Sequence, residues 1–399
     1  LNFCSNQAGI GWRNFSKVLV VGFLLIRKRK KMNSRILLVG LFSVMCGYVG
    51  GQNVNKVIYP YYAENTRQEV RVPSALEGYI ALKADLHTHT YFSDGSVSPD
   101  MRVDEAWKTG LDVLAITDHI EYKTNREYIK GDENTSYELA KKQAEKRGII
   151  LIKGTEITRK QPIFGHFNAL FIDDANKLKM DDPKAAIAEA VAQGGFVTWN
   201  HPAWAVDTCR MYEFQANLLK EKLVHGIEVF NNTEFYPRAL KWAKEWGLTV
   251  LSCSDVHTSV YANDGVHGAG CAAGGVYHRP MTIIFSKDKS LESIREALEN
   301  KRTIAYFGNH LAGDRDLLTR FFWAAVSVEV LSEDDAAATF RLDNRYDIPF
   351  YLHYGKTRVA LLPNHSVDIR LKKADGSLNI ELENVIVDEA STLNVELKF

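Results

Sequence analysis

Five short apolar runs in this chain are each followed at once by a histidine or a carboxylate, and that repeat narrows the folds open to it. The followers are Asp85-Leu86-His87, Thr117-Asp118-His119, Gly154-Thr155-Glu156, Trp199-Asn200-His201 and Ser254-Asp255-Val256-His257. Extended stretches are expected at 79–84, 112–116, 149–153, 168–172, 196–199, 226–230, 248–252 and 281–285, with helices at 100–109, 136–147, 184–193, 218–223, 238–246 and 291–299. Short buried strands alternating with helices mean βαβ units. A barrel gathers its chemistry from the loops after nearly every strand, whereas an open sheet gathers it at one switch point. The spacing therefore predicts a barrel.

Within the first follower, His87 and His89 stand two apart in extended chain, so their rings fall on the same side of the backbone. Collecting the strand-end donors gives His87, His89, Asp94, His119, Glu156, His166, His201, Asp255 and His257. Nitrogen and oxygen donors without thiolate suit zinc, manganese or iron, and a carboxylate among them can bridge two cations. After about residue 320 the texture changes to short alternating runs at 323–331, 338–342, 350–354, 367–371, 378–382 and 393–399 with turn signals between them. This predicts a small antiparallel β-sandwich over 320–399 without a donor cluster.

The 399 residues carry 49 basic and 49 acidic side chains, but eight of the basic ones and none of the acidic fall in 1–51. The remainder holds 41 against 49, a balance of −8 that argues against a long grip on nucleic acid. The cationic start reads as an upstream region followed by a signal peptide over Met32–Gly51, which predicts a secreted or periplasmic protein with no stable membrane insertion. Beyond it only Cys209, Cys253 and Cys271 remain, too few for a disulfide framework.

The order of motifs, Asp-Leu-His-Thr-His-Thr with Ser-Asp-Gly, Thr-Asp-His, Gly-Thr-Glu, Gly-His-Phe-Asn, Asn-His-Pro and Ser-Asp-Val-His, resembles that of the polymerase and histidinol phosphatase (PHP) metallohydrolases. Shorter strings, Asp118-His119-Ile120-Glu121-Tyr122 and His278-Arg279-Pro280-Met281-Thr282, are similar to a secreted phosphodiesterase branch of that family. The resemblance implies a distorted (β/α)7 TIM-like barrel over 52–319 and two to three divalent metal ions. It implies His87, His89, Glu156 and Asp255 around one metal and Glu156, His166 and His201 around a second. Asp94, His119 and His257 would hold a third. The implied activity is hydrolysis of a small phosphate diester, with a phosphomonoesterase or exonuclease, or a noncatalytic metal- or glycan-binding protein, as alternatives. Asp255, His257 and Glu156 are the expected catalytic groups. Arg279, Lys123 and Tyr122 are expected to meet the phosphate, Arg279 through its bidentate fork, and Trp199 and Trp204 to wall the pocket.

Overall fold

The helices begin where the sequence supplies caps. Ser98 accepts from the Met101 amide and Pro99 opens α1 (Pro99–Lys108). Thr135–Arg147 (α2) closes on left-handed Gly148, and Asp182 with Pro183 opens α3 (Pro183–Ala192). The strands between them, β1 (Ile80–Asp85), β2 (Val113–Ile116) and β5 (Phe196–Trp199), are rich in residues that fit a pleated sheet. The computed structural model describes residues 67–161, 163–204, 206, 208–261 and 279–398. The signal segment, Cys271, His267 and His278 lie outside them.

The order continues with β3 (Ile150–Thr158), β4 (His166–Leu170), α4 (Glu213–Lys220), β6 (Gly226–Asn231), β7 (Glu234–Phe235), α5 (Pro237–Trp246) and β8 (Thr249–Cys253). Next come β9 (Met281–Ser286), α6 (Leu291–Glu299), β10 (Thr303–Phe307), β11 (His310–Gly313) and α7 (Arg315–Ala325). Neighbouring strands run β11-β10-β9-β1-β2-β3-β4-β5-β6, with β8 on β6. The expectation of a parallel barrel is corrected here. Pairs β1–β2, β2–β3, β5–β6 and β6–β8 are parallel, but β4 is antiparallel to both neighbours and β9 to β1 and β10. No crossover helix separates β3 from β4, and a short return makes an antiparallel pair.

Among the described residues no ladder joins β8 to β9 or β10. Side chains span the gap instead. The Ser252 amide donates to Thr282 Oγ1 at 2.9 Å, Thr282 Oγ1 donates to the Ser252 carbonyl, and Thr303 Oγ1 donates to the Val250 carbonyl at 2.8 Å. Past the strand ends the chain pairs again. The Asp255 amide donates to the His87 carbonyl at 2.9 Å and the His89 amide to the Val256 carbonyl at 3.1 Å, which sets the first and last followers side by side.

The C-terminal strands are β12 (Val326–Glu333), β13 (Ala337–Asn344), β14 (Phe350–Tyr354), β15 (Thr357–Leu361), β16 (Ser366–Lys372), β17 (Ser377–Asp388) and β18 (Ser391–Lys398). They pair antiparallel with one another, as the alternation predicts. Residues 323–325, expected to be extended, instead end α7. Asp314 caps this helix at the Leu317 amide, and it buries Leu317, Leu318, Phe321, Phe322 and Ala325.

The boundary expected at 319/320 thus falls inside a helix, and β17 pairs in parallel with β11. One apolar core runs from Phe285 and Tyr306 through Phe321 and Phe322 to Phe350, Ile380 and Leu393. The barrel-like part and the strand layers therefore unfold together, in one calorimetric transition; two well-separated transitions would contradict this. No helix among the described residues is long and apolar enough to cross a membrane.

Candidate metal centre

All nine donors singled out by the sequence come to one end of the curled sheet. His87 and His89 follow β1, His119 follows β2, Glu156 lies in β3, His201 follows β5, and Asp255 and His257 follow β8. His166 precedes its apolar run rather than following it. Because β4 is antiparallel, its first residue lies at the end where its neighbours finish.

The donors form four overlapping groups in which the ligand atoms lie within 4.8 Å of one another: His87, His89 and Glu156; His87, His201 and Asp255; Glu156, His166 and His201; and His89, Asp94, His119 and His257. In the first, the Nε2 atoms of His87 and His89 are 3.1 Å apart and Glu156 Oε2 is 3.6 Å from each. Asp255 Oδ1 faces the same two nitrogens at 3.2 and 3.0 Å. The other Glu156 oxygen, Oε1, is 3.2 Å from His166 Nδ1 and 3.5 Å from His201 Nε2. Its two oxygens therefore serve two different groups. Asp94 Oδ1 is 3.2 Å from His257 Nε2 and 3.5 Å from His119 Nε2.

Such a nest is costly without a cation. Glu156 Oε2, His166 Nδ1 and Asp94 Oδ1 are buried with no aligned hydrogen-bond partner among the described residues. Burial pushes the Glu156 carboxyl up, but His119, His87 and His166 outweigh it and hold the group well below the usual carboxylate range. Burial likewise opposes ionisation of Asp255, and His87, His89 and His257 win there too. His89 falls well below its ordinary value through burial and the neighbouring His257 and His119. Orphaned inward oxygens and nitrogens, all hard or borderline donors, fit divalent cations.

A supporting layer sets which ring nitrogen faces inward. Glu228 is fully buried with Oε1 2.8 Å from His87 Nδ1, a contact that holds the ring with its Nε2 toward the centre. Glu228 Oε2 accepts from the His201 amide at 2.7 Å and from Asn231 Nδ2 at 2.8 Å. Asn200 donates to Glu156 Oε1 at 3.0 Å. His201 and Asp255 hold φ of 25° and 52°, left-handed values uncommon for such residues and maintained by these surroundings. Gly95 is required by space, since a Cβ there would meet the Thr90 amide nitrogen and carbonyl oxygen at 2.8 Å.

Two groups that sequence reasoning passed over hold the loops together. Arg102, fully buried on α1, donates to the His89 carbonyl through Nε at 3.0 Å and Nη2 at 2.8 Å, and to the Val256 carbonyl at 3.2 Å. Its Nη1 meets Glu105, whose other oxygen accepts from Ser259 Oγ at 2.6 Å and the Val260 amide at 3.2 Å. An Arg and a Glu three apart on a helix read as a solvated pair, so only an apolar environment around them could have flagged this.

Arg279 is corrected from a phosphate-facing fork to a buried brace. It is 1% exposed, its Nη2 donates to Asp85 at 2.5 Å and its Nη1 to Thr109 Oγ1 at 3.2 Å. Asp85 also takes the Ser254 amide and hydroxyl, so the pair ties β1 to the chain after β8. Lys123 is taken by Glu133. Trp199 stacks on Trp242 in the core, 5.3 Å between centroids, and does not wall the site. Trp204 and Tyr122 do stand at it, 5.5 Å from the His201 ring and 5.9 Å from the His119 ring. Cys209 and Cys253 are unbridged.

Burial lowers His257, but Asp94 and Asp255 outweigh it and raise the group to about 9. A cation in the Asp94 group must displace that proton. Affinity there should therefore rise with pH, roughly tenfold per unit up to about pH 9, and flatten above. Metal titration by calorimetry at pH 6 to 10 reads this, and a pH-independent third binding event would contradict it.

The PHP domain family model matches residues 85–194. A two-domain protein from Bacteroides vulgatus containing a predicted PHP-like metal-dependent phosphoesterase is 38% identical, with a TM-score of 0.78 over 84% of this chain and 99% of that one. A Bifidobacterium adolescentis protein assigned as a metal-dependent phosphoesterase shares 20% identity over 44% of this chain and 88% of its own, with a TM-score of 0.34. A lesion-specific endonuclease from Pyrococcus furiosus shares 14% over 59% of each chain, with a TM-score of 0.37. No curated protein matches. Fold, donor set and the Bacteroides likeness together define a metal-dependent hydrolase. The chain belongs to the PHP-like metal-dependent phosphoesterases.

Proposed function

We propose that this chain is an exported phosphodiesterase that hydrolyses a small organic phosphate diester, with two or three zinc, manganese or iron ions as cofactors. The observation that carries the reading is Glu156, whose two oxygens face two different donor groups in a buried nest. Bound there, the ions would supply an activated water and neutralise the charge that builds on the phosphoryl oxygens.

The chain's own residues do the rest. Glu156 would hold two ions through its two oxygens, Glu228 meets His87 at Nδ1 and leaves Nε2 toward the centre, and Asn200 fixes the Glu156 carboxylate by donating to Oε1. Asp255 is the carboxylate of the inner groups that solvent reaches, its side chain 15% exposed against 0% for Glu156. In this reading Asp255 takes the proton of the attacking water and passes it outward. His257, beside Asp255 and Asp94, orients the third position. Export rests on the basic and apolar segments around Met32–Gly51, and the mass of protein from its native host reports cleavage there.

The test is a substrate panel for the purified chain reconstituted with each metal. Small phosphodiesters should turn over faster than phosphomonoesters and oligonucleotides. Turnover confined to monoesters or to oligonucleotides would replace this reading with one of its two enzymatic rivals, and none on any ester would return it to a binding protein.

A further inference from the structure

The donor nest explains hydrolysis but not which ester is taken, and the mouth of the site carries a feature its chemistry leaves unused. Trp204 and Tyr122 are among the large apolar side chains left exposed, at 48% and 54%. Both lie against ligand histidines. The Trp204 ring is 5.5 Å from His201 and 5.6 Å from His166, and Tyr122 meets His119 edge-on at 5.9 Å. His166 and His119 are themselves 6.2 Å apart, so the rings form a continuous run over the Glu156 carboxylate.

Neither aromatic is a loose surface residue. The Trp204 amide donates to the His201 carbonyl at 2.9 Å, so one tight turn carries ligand and indole together. Tyr122 directly follows two residues pinned to β3: the Ile120 amide donates to the Glu156 carbonyl at 3.0 Å, and Glu121 accepts the Thr158 amide at 2.8 Å. Rings fixed before binding cost little further ordering when a ligand covers them.

Nearby cations are neutralised from within the fold, Lys123 by Glu133 and Arg159 by Glu121. A cavity of about 370 Å³ opens beside Asp94 and is walled by Tyr91, Tyr128 and Ile129, with no lysine or arginine among the described residues of its lining. A long polyanion would find few partners here. A flat apolar group would find ring faces.

We infer that Trp204 and Tyr122, each resting on a histidine of the donor nest, offer stacking faces for a planar aromatic ester group on the phosphate substrate. The inference rests on the phosphoesterase reading, and it assigns the substrate class: aryl or arylmethyl phosphate esters rather than short alkyl ones. Aromatic pairs at 4.5–7 Å gain attraction beyond the area they bury, which favours a flat ring over a saturated one of equal size.

Binding and turnover arms separate the two claims. The full-length metal-loaded chain is titrated calorimetrically with benzylphosphonate, cyclohexylmethylphosphonate and methylphosphonate. Benzylphosphonate should bind about tenfold tighter than methylphosphonate and several-fold tighter than the cyclohexyl probe. In Trp204→Gln with Tyr122→Gln the preference should collapse to within about twofold, while Trp204→Phe keeps most of it. Both positions are half exposed, so the variants fold, and unchanged metal content confirms it. In parallel, benzyl 4-nitrophenyl phosphate and methyl 4-nitrophenyl phosphate, both of which carry an aryl ester group, should turn over, and the double substitution should lower kcat/KM on each by about tenfold. Equal binding of the three phosphonates, or a preference that survives the double substitution, overturns the subsite. Absence of turnover on both diesters with the binding preference intact would overturn the phosphoesterase reading and leave the subsite standing.

Discussion

Glu156→Gln should lower kcat/KM by at least about a hundredfold, a loss of roughly 2.7 kcal/mol of transition-state stabilisation. The substitution keeps shape and volume but removes the charge that Oε1 and Oε2 direct to two groups of histidines. An amide has one acceptor oxygen and cannot face both groups with negative charge, so metal content should fall together with rate. Cations that did enter would sit in a nest short of one carboxylate, with Asp255 and Asp94 left to balance them. His225→Asn is the control. That side chain accepts from the Val197 amide at 3.0 Å, away from the nest, and the asparagine should leave catalysis within a few-fold of wild type.

Arg102→Met should cost about 3–5 kcal/mol of stability, because it strands Glu105 as a buried carboxylate without its cation. For a chain this size the melting temperature should fall by roughly 4–7 °C. The substitution also removes the donors to the His89 and Val256 carbonyls, the clamp between the first and last ligand loops. Arg102→Met with Glu105→Leu separates the two effects. Replacing both charges with apolar groups should restore much of the stability, since a buried pair gains little over well-packed hydrophobic residues. The carbonyl donors would still be missing. Occupancy of the group that includes His89 and His257 should stay low even in the stabilised double variant, as metal analysis after dialysis would show. Full occupancy there would mean that the clamp supports the fold and not the site.

The site was legible because strand-end donors carry their own signal, a short apolar run and then a His or carboxylate, with His-x-His placing two rings on one side. The direction of β4 was not. An antiparallel insertion keeps the apolar pattern of a parallel strand, and only the position of His166 before its run hinted at the reversal. Arg279 was misjudged for a related reason. From sequence a guanidinium beside a motif looks available, yet Asp85, from the first follower, is buried against it and accepts from its Nη2. α7 was missed because Phe321, Phe322 and Trp323 favour strands locally, while the Asp314 cap and the spacing of Leu317, Leu318, Phe321, Phe322 and Ala325 settle the segment as a helix. The boundary expected near 320 falls inside this helix, which carries a core that both halves share.

Elemental analysis of the purified, metal-loaded chain and of Glu156→Gln, each measured beside kcat/KM on a phosphodiester, tests the central claim most directly. The account predicts more than one divalent ion per wild-type chain and coupled loss of metal and rate in the variant. Full turnover by metal-free wild type, or a Glu156→Gln chain with unchanged metal content and rate, would contradict it.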